Sequence, residues 1–269
     1  MNFNAYKMDG LGNDFLIIDN RSQNISLSDD QIKKLADRKN NIGFDQVIYI
    51  HKSHDFPDVK YFNSDGKPAS ACGNGNRCVA EILMNEKGND KVEFKVGNKI
   101  HTAKKNNQKL ISVDMGQATY DLKKIPVSSE VKTNPIKLNI SDRNLEGCLI
   151  NVGNPHIIFF EKIKNEDLAK LGPKIENHDF FPDRINVTFA EIIDKKNIRA
   201  NVWERGAGQT LACGTAACAV AHVAIDQKLS ENPVDIHFKM GALTIQLDQS
   251  KNIIMTGPVS AQKEILVKI

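Results

Sequence analysis

Ala71-Cys72-Gly73-Asn74-Gly75-Asn76-Arg77-Cys78 and Ala212-Cys213-Gly214-Thr215-Ala216-Ala217-Cys218 are the two stretches on which the fold turns. Each has an Ala-Cys-Gly tripeptide at the head of a helical pattern, and the two tripeptides lie 141 residues apart. The same offset lays Gly12-Asn13 and the apolar run after it over Gly153-Asn154 and its apolar run. It lays Asp45-Gln46 over Asn186-Val187, and Val59-Lys60-Tyr61-Phe62-Asn63 over Ala200-Asn201-Val202-Trp203-Glu204. These blocks are in register without insertion, and most put a polar group at a strand or helix end. The chain therefore reads as a duplication of one strand-rich unit with one helix-start cysteine.

The pattern after each Cys-Gly is helical. The first helix is expected over about Asn74 to Lys87, stopped by Gly88, with Cys78, Val79, Ile82 and Leu83 on one face. The second, about Thr215 to Lys228, is apolar on nearly every side from Ala216 to Ile225, apart from His222. Such a helix is buried all round. Among so many strand signals, this predicts an α+β fold of two pseudo-symmetric halves, each a curved mixed or antiparallel sheet wrapped around a central helix. The expected division is 1–117, completed by 263–269, and 118–262.

Composition narrows the function classes. The chain has 269 residues, 26% of them charged, with a net charge of +3. That balance argues against a nucleic-acid surface, and the basic stretch Lys99 to Lys109 reads as a solvated hairpin face. No apolar run approaches the ~18 residues of a membrane helix, and Met1 to Gly10 lacks the apolar core of a signal peptide. A cytoplasmic location is expected, where thiols stay reduced. Five cysteines, Cys72, Cys78, Cys148, Cys213 and Cys218, are not a disulfide framework. Cys78, Cys148 and Cys218 read as small core residues. No short Cys-Cys spacing with a His pair points to zinc. The Gly10-Leu11-Gly12 and Gly206-Ala207-Gly208 segments lack the third glycine of a dinucleotide loop.

Cys72 and Cys213 read differently. A helix N-terminus offers free N–H groups and partial positive charge, which bind a carboxylate and lower a thiol pKa. Gly73 and Gly214 admit close approach of a ligand. Two thiols facing one carbon can take a proton from one side and return it to the other, the requirement of racemisation or epimerisation.

The two cysteine segments resemble those of the diaminopimelate epimerase family. So do Met8-Asp9-Gly10-Leu11-Gly12-Asn13-Asp14-Phe15, Gly43-Phe44-Asp45-Gln46, Phe62-Asn63-Ser64-Asp65-Gly66, Gly153-Asn154-Pro155-His156, Arg184-Ile185-Asn186 and Glu204-Arg205-Gly206-Ala207-Gly208. The resemblance runs in order along almost the whole chain. It implies a cofactor-independent, PLP-independent enzyme of lysine and peptidoglycan-precursor synthesis that interconverts LL- and meso-2,6-diaminoheptanedioate. It also implies a homodimer with its site in a cleft between the halves. Cys72 and Cys213 would be the acid–base pair. Backbone groups of Gly73, Asn74, Gly214 and Thr215 would hold the α-carboxylate. Asn13, Gln46, Asn63, Asn154, Asn186, Glu204 and Arg205 would contact the rest of the substrate, while His156 and Glu204 tune the thiols. No metal is expected. The alternative is a proline or hydroxyproline racemase-like two-cysteine isomerase, for which Asn63, Asn186 and Arg205 would have no distal group to bind.

Overall fold

The computed structural model describes residues 1–69, 72–106, 108–128 and 130–269. Ala71, the head of the first tripeptide, lies outside the described residues. In chain order the elements begin with β1 (Asn2–Gly10), β2 (Asn13–Asp19), α1 (Asp29–Ala36), β3 (Gln46–His51), β4 (Asp58–Asn63) and β5 (Pro68–Ala69). They continue with α2 (Gly73–Lys87), β6 (Lys91–Val96), β7 (Lys99–Lys105), β8 (Ile111–Gly116), β9 (Ile136–Ile140), β10 (Arg143–Asn151) and β11 (Pro155–Phe159). Then come α3 (Asn165–Glu176), β12 (Asn186–Ile192), β13 (Asn197–Glu204), β14 (Gly208–Thr210) and α4 (Gly214–Asp226). The chain closes with β15 (Val234–Phe238), β16 (Gly241–Leu247), β17 (Ile253–Gly257) and β18 (Lys263–Lys268). It divides into two compact units, Met1–Asp114 with Thr256–Ile269, and Met115–Met255.

The first unit holds a mixed sheet in the order β18–β1–β2–β3–β4–β6–β7–β8, with the short β5 also on β4. β2 pairs parallel to β3, and β4 parallel to β6; the crossovers contain α1 and α2. Parallel pairs need such long connections and are covered on both faces. Accordingly Phe15, Leu16, Ile17 and Ile18 of β2 are all fully buried. Leu16 and Ile18 join Ile32 and Leu35 of α1 in one core layer with Phe3, Phe44, Val47 and Val267. α2 packs against β1, β2, β6 and β7. Its first turn fits tightly: a Cβ at Gly75 would fall 2.8 Å from Tyr61 Cε1 and 2.9 Å from Ile48 Cδ1. α2 ends at Gly88, left-handed at φ 62, as the glycine signal foretold.

The second unit repeats the plan. Its sheet runs β9–β10–β11–β12–β13–β15–β16, with β14 on β13, and the parallel pairs are β11–β12 and β13–β15. β9 lies antiparallel to β10 as β18 lies antiparallel to β1, so the last strand of the chain fills the corresponding place in the first unit. Leu168, Leu171 and Ile175 of α3 pack on Leu149, Ile157, Phe159, Val187 and Phe189. α4 lies against β10 to β13, β15 and β16, and Ala216 to Ala224 are all buried. The all-round apolar stretch is therefore a sheathed helix, as expected.

Candidate active site

The first unit gathers five predicted site residues at one end of its sheet, with Asn63 beside them at the end of β4. β1 and β2 are joined through Leu11 and Gly12, both at positive φ (57° and 76°), a tight turn whose twist suits a hairpin. The turn delivers Asn13 at the start of β2. Cys72 is the N-cap of α2, extended at φ −138° and ψ 113°, and its Sγ donates to Asn13 Oδ1 at 3.2 Å. Asn13 Nδ2 donates to Asp45 Oδ2 at 3.0 Å. Gln46 opens β3, opposite Asn63 in the ladder, and its Nε2 donates to Asn63 Oδ1 at 3.0 Å. Asn74 is only 1% exposed, and its Oδ1 has no hydrogen-bond partner among the described residues. Gly73 and Asn74 supply first-turn N–H groups that no helix carbonyl can reach.

The second unit gathers the others. Cys213 is the N-cap of α4 at φ −139° and ψ 117°, almost the same backbone as Cys72. Its Sγ lies 3.4 Å from Thr215 Oγ1. That oxygen is 3.1 Å from His156 Nε2 and 3.3 Å from Asn154 Nδ2, and His156 Nε2 is also 3.0 Å from Asn154 Oδ1. An amide oxygen only accepts, so Nε2 carries the ring proton. With the Asn154 amide and the Nε2–H both aimed at the Thr215 oxygen, the hydroxyl hydrogen is left for the Cys213 sulfur.

Electrostatics follow from burial. His156 is fully buried; desolvation, helped by the nearby Arg205 guanidinium, pushes its pKa down to about 3. The imidazole is neutral at physiological pH. Burial pushes the Cys213 thiol well above its ordinary range, and the Glu204 carboxylate pushes the same way. The Thr215 hydroxyl and the Ala216 N–H pull against them. Cys78, inside α2, is also raised by burial, which fits an inert core thiol. Cys148 and Cys218 are buried too.

Arg205 follows β13. Its backbone N–H donates to Asn186 Oδ1 at 3.0 Å, while Asn186 Nδ2 donates to the Pro155 carbonyl at 2.8 Å. The Arg205 side chain is exposed, with Nη1 3.2 Å from the Asp183 carbonyl. Three supporting groups escaped the sequence reading. Asp45 and Arg38 stand behind Asn13. Glu176, 5% exposed, accepts from Trp203 Nε1 and the Gly206 N–H, both at 2.7 Å, and so brackets Glu204-Arg205. Asp45 did stand in a quoted motif; Arg38 and Glu176 carried no local signal.

The family model for diaminopimelate epimerase matches residues 5–120 and 148–262. Among curated relatives, the chain is 46% identical to a diaminopimelate epimerase of Pelagibacter ubique over the full length of both proteins. It is 38% identical to that of Nitrosospira multiformis, covering 95% of this chain and 94% of the relative. Among solved structures, it resembles a hydroxyproline epimerase from Agrobacterium vitis with a TM-score of 0.68 at 12% identity, covering 99% and 92%. A PhzF-family protein from Enterococcus faecalis gives 0.68 at 13% identity over the whole of both chains. At such identities these two structures establish the fold only. The family match and the full-length relatives establish more: this chain belongs to the diaminopimelate epimerase family.

Proposed function

We propose that the family's reaction, interconversion of LL- and meso-2,6-diaminoheptanedioate, is performed here by Cys72 and Cys213 as a two-thiol acid–base pair. The observation that carries this reading is the shared N-cap geometry of the two cysteines, each heading a long helix on matching strands. One cysteine, as thiolate, takes the α-proton and becomes a thiol. The other thiol gives its proton to the opposite face of the same carbon and becomes a thiolate. Protons and charge balance, and exchange with solvent resets the pair.

An amino-acid α-proton is very weakly acidic, so the developing charge needs fixed dipoles. The first-turn N–H groups of Gly73, Asn74, Gly214 and Thr215 are suited to the α-carboxylate. Arg205 is suited to the distal carboxylate as a bidentate partner. Glu204 and the amide oxygens of Asn63, Asn154 and Asn186 suit the ammonium groups, with Asn13 and Gln46 completing the lining. Neutral His156 acts through Thr215 on Cys213. The reaction belongs to lysine synthesis; a homodimer working in the cytoplasm is the setting this reading takes for it.

The direct test supplies LL-diaminopimelate to the purified protein and follows the meso isomer. Cys72→Ala and Cys213→Ala should each abolish turnover; full activity in either variant would sink the two-thiol assignment. Arg205→Met separates the alternative, since proline has no distal carboxylate: undiminished diaminopimelate turnover would remove Arg205 from the site.

A further inference from the structure

The two sulfurs face opposite kinds of group. Cys213 faces a hydroxyl whose hydrogen is free to point at it, whereas Cys72 faces a carbonyl oxygen. The orientation of the Asn13 amide is fixed by chemistry. Asp45 Oδ2 can only accept, so the Asn13 nitrogen must face it and the oxygen must face Cys72. Asp45 is itself held from three directions. Its Oδ2 also accepts the Asp14 N–H at 2.8 Å, and its Oδ1 accepts Arg38 Nη2 at 2.7 Å. Arg38 donates a second bond to Asp14, which Lys7 also contacts at 2.6 Å. Burial pushes the Asp14 carboxyl up, but these two cations outweigh it and hold it below the usual range. At the offset of 141, Arg38 and Asp45 correspond to Asp179 and Asn186, so the Arg–Asp pair is not repeated at those positions of the second unit.

We propose that Asp45, braced by Arg38, is a positioning residue that locks the Asn13 carbonyl onto Cys72 and thereby favours the protonated form of that thiol. A carbonyl oxygen 3.2 Å from sulfur stabilises S–H and repels S⁻. Tyr61 and Cys78, which interact with Cys72, are both driven toward their neutral forms by burial. The buried Arg77 guanidinium beside Cys78 acts in the opposite sense. This effect on Cys72 does not depend on the two-thiol reading, and the experiment reads it without substrate.

The test is the alkylation rate of each cysteine by iodoacetamide near neutral pH, quantified by peptide mass spectrometry on the intact protein. Only the thiolate reacts. Asp45→Asn frees the Asn13 amide to turn its nitrogen toward sulfur, and Cys72 should react roughly five- to tenfold faster, the worth of about one hydrogen bond. Cys213 should keep its rate. Asn13→Ala, a milder change, should also quicken Cys72, and adding Asp45→Asn to it should add nothing. An unchanged or slower Cys72, a parallel change at Cys213, or an acceleration by Asp45→Asn that persists without Asn13 would each overturn the proposal. The last outcome would mean that the Asp45 charge acts directly.

Discussion

The hydroxyl oxygen of Thr215 stands 3.4 Å from the sulfur of Cys213 while also meeting the His156 ring nitrogen at 3.1 Å. The hydroxyl therefore relays the orientation of a buried neutral imidazole to a thiol. A hydrogen bond to a charged partner contributes about 1.5–3 kcal/mol. Thr215→Val should lower kcat roughly 10- to 100-fold, whereas Thr215→Ser, which keeps the oxygen, should stay within a few-fold of the parent. Equal losses in the two variants, by steady-state kinetics, would remove the hydroxyl from the account.

His156 also leaves a mark on stability. In the unfolded chain an imidazole titrates near 6.5, whereas in the fold burial and Arg205 hold it down to about 3. As pH falls below about 6.5 the unfolded chain gains a proton that the folded chain refuses. The stabilising contribution is thus fully present above that pH and is lost as pH falls toward 3, by up to about 1.4 kcal/mol per pH unit. His156→Gln should flatten the stability profile between about pH 6.5 and 4 relative to the parent. Parallel denaturation profiles would contradict a neutral buried imidazole.

Glu176 connects α3 to the Glu204-Arg205-Gly206 segment through Trp203 and the Gly206 N–H. Glu176→Ala strands both donors, which should cost roughly 1–3 kcal/mol in urea unfolding. It should also raise KM for diaminopimelate more than it lowers kcat, because Arg205 would hold the distal end of the substrate. An unchanged KM would separate the bracket from binding.

Gly75 marks how closely α2 lies on the sheet. A methyl there meets the Tyr61 ring at 2.8 Å and the Ile48 Cδ1 at 2.9 Å, and both side chains are buried. Gly75→Ala should destabilise by roughly 1–3 kcal/mol through overpacking, read as a lower urea midpoint with the same slope. The corresponding residue of the second unit is Ala216, already fully buried, so a methyl fits there.

Much of this was legible because the repeat preserves chemistry as well as spacing. The offset of 141 carries β1 onto β10 and α2 onto the start of α4. Cys-Gly and Gly-Asn mark element ends whose backbone needs are special, so they stand out from low overall identity. The helices α1 and α3 went unread, although Ser28 and Gln31 form a capping box. Their apolar faces are short beside the long strand runs. Asp45 and Arg38 are seven residues apart, both outside the helices and strands, and only the fold brings Arg38 to Asp45 and Asp45 to Asn13. Glu176 lies 27 residues from Trp203 in sequence, and no periodicity predicts that meeting. Long-range side-chain convergence of this kind leaves no local trace.

The central claim is that two different thiols handle the two faces of one carbon. Epimerisation of LL-diaminopimelate in heavy water, stopped at early turnover and analysed by proton NMR and mass spectrometry, tests it most directly. The account predicts deuterium at the inverted carbon of the meso product, with unreacted LL substrate still carrying protium there. Product that retains the original proton, or substrate that gains deuterium as fast as product does, would contradict it.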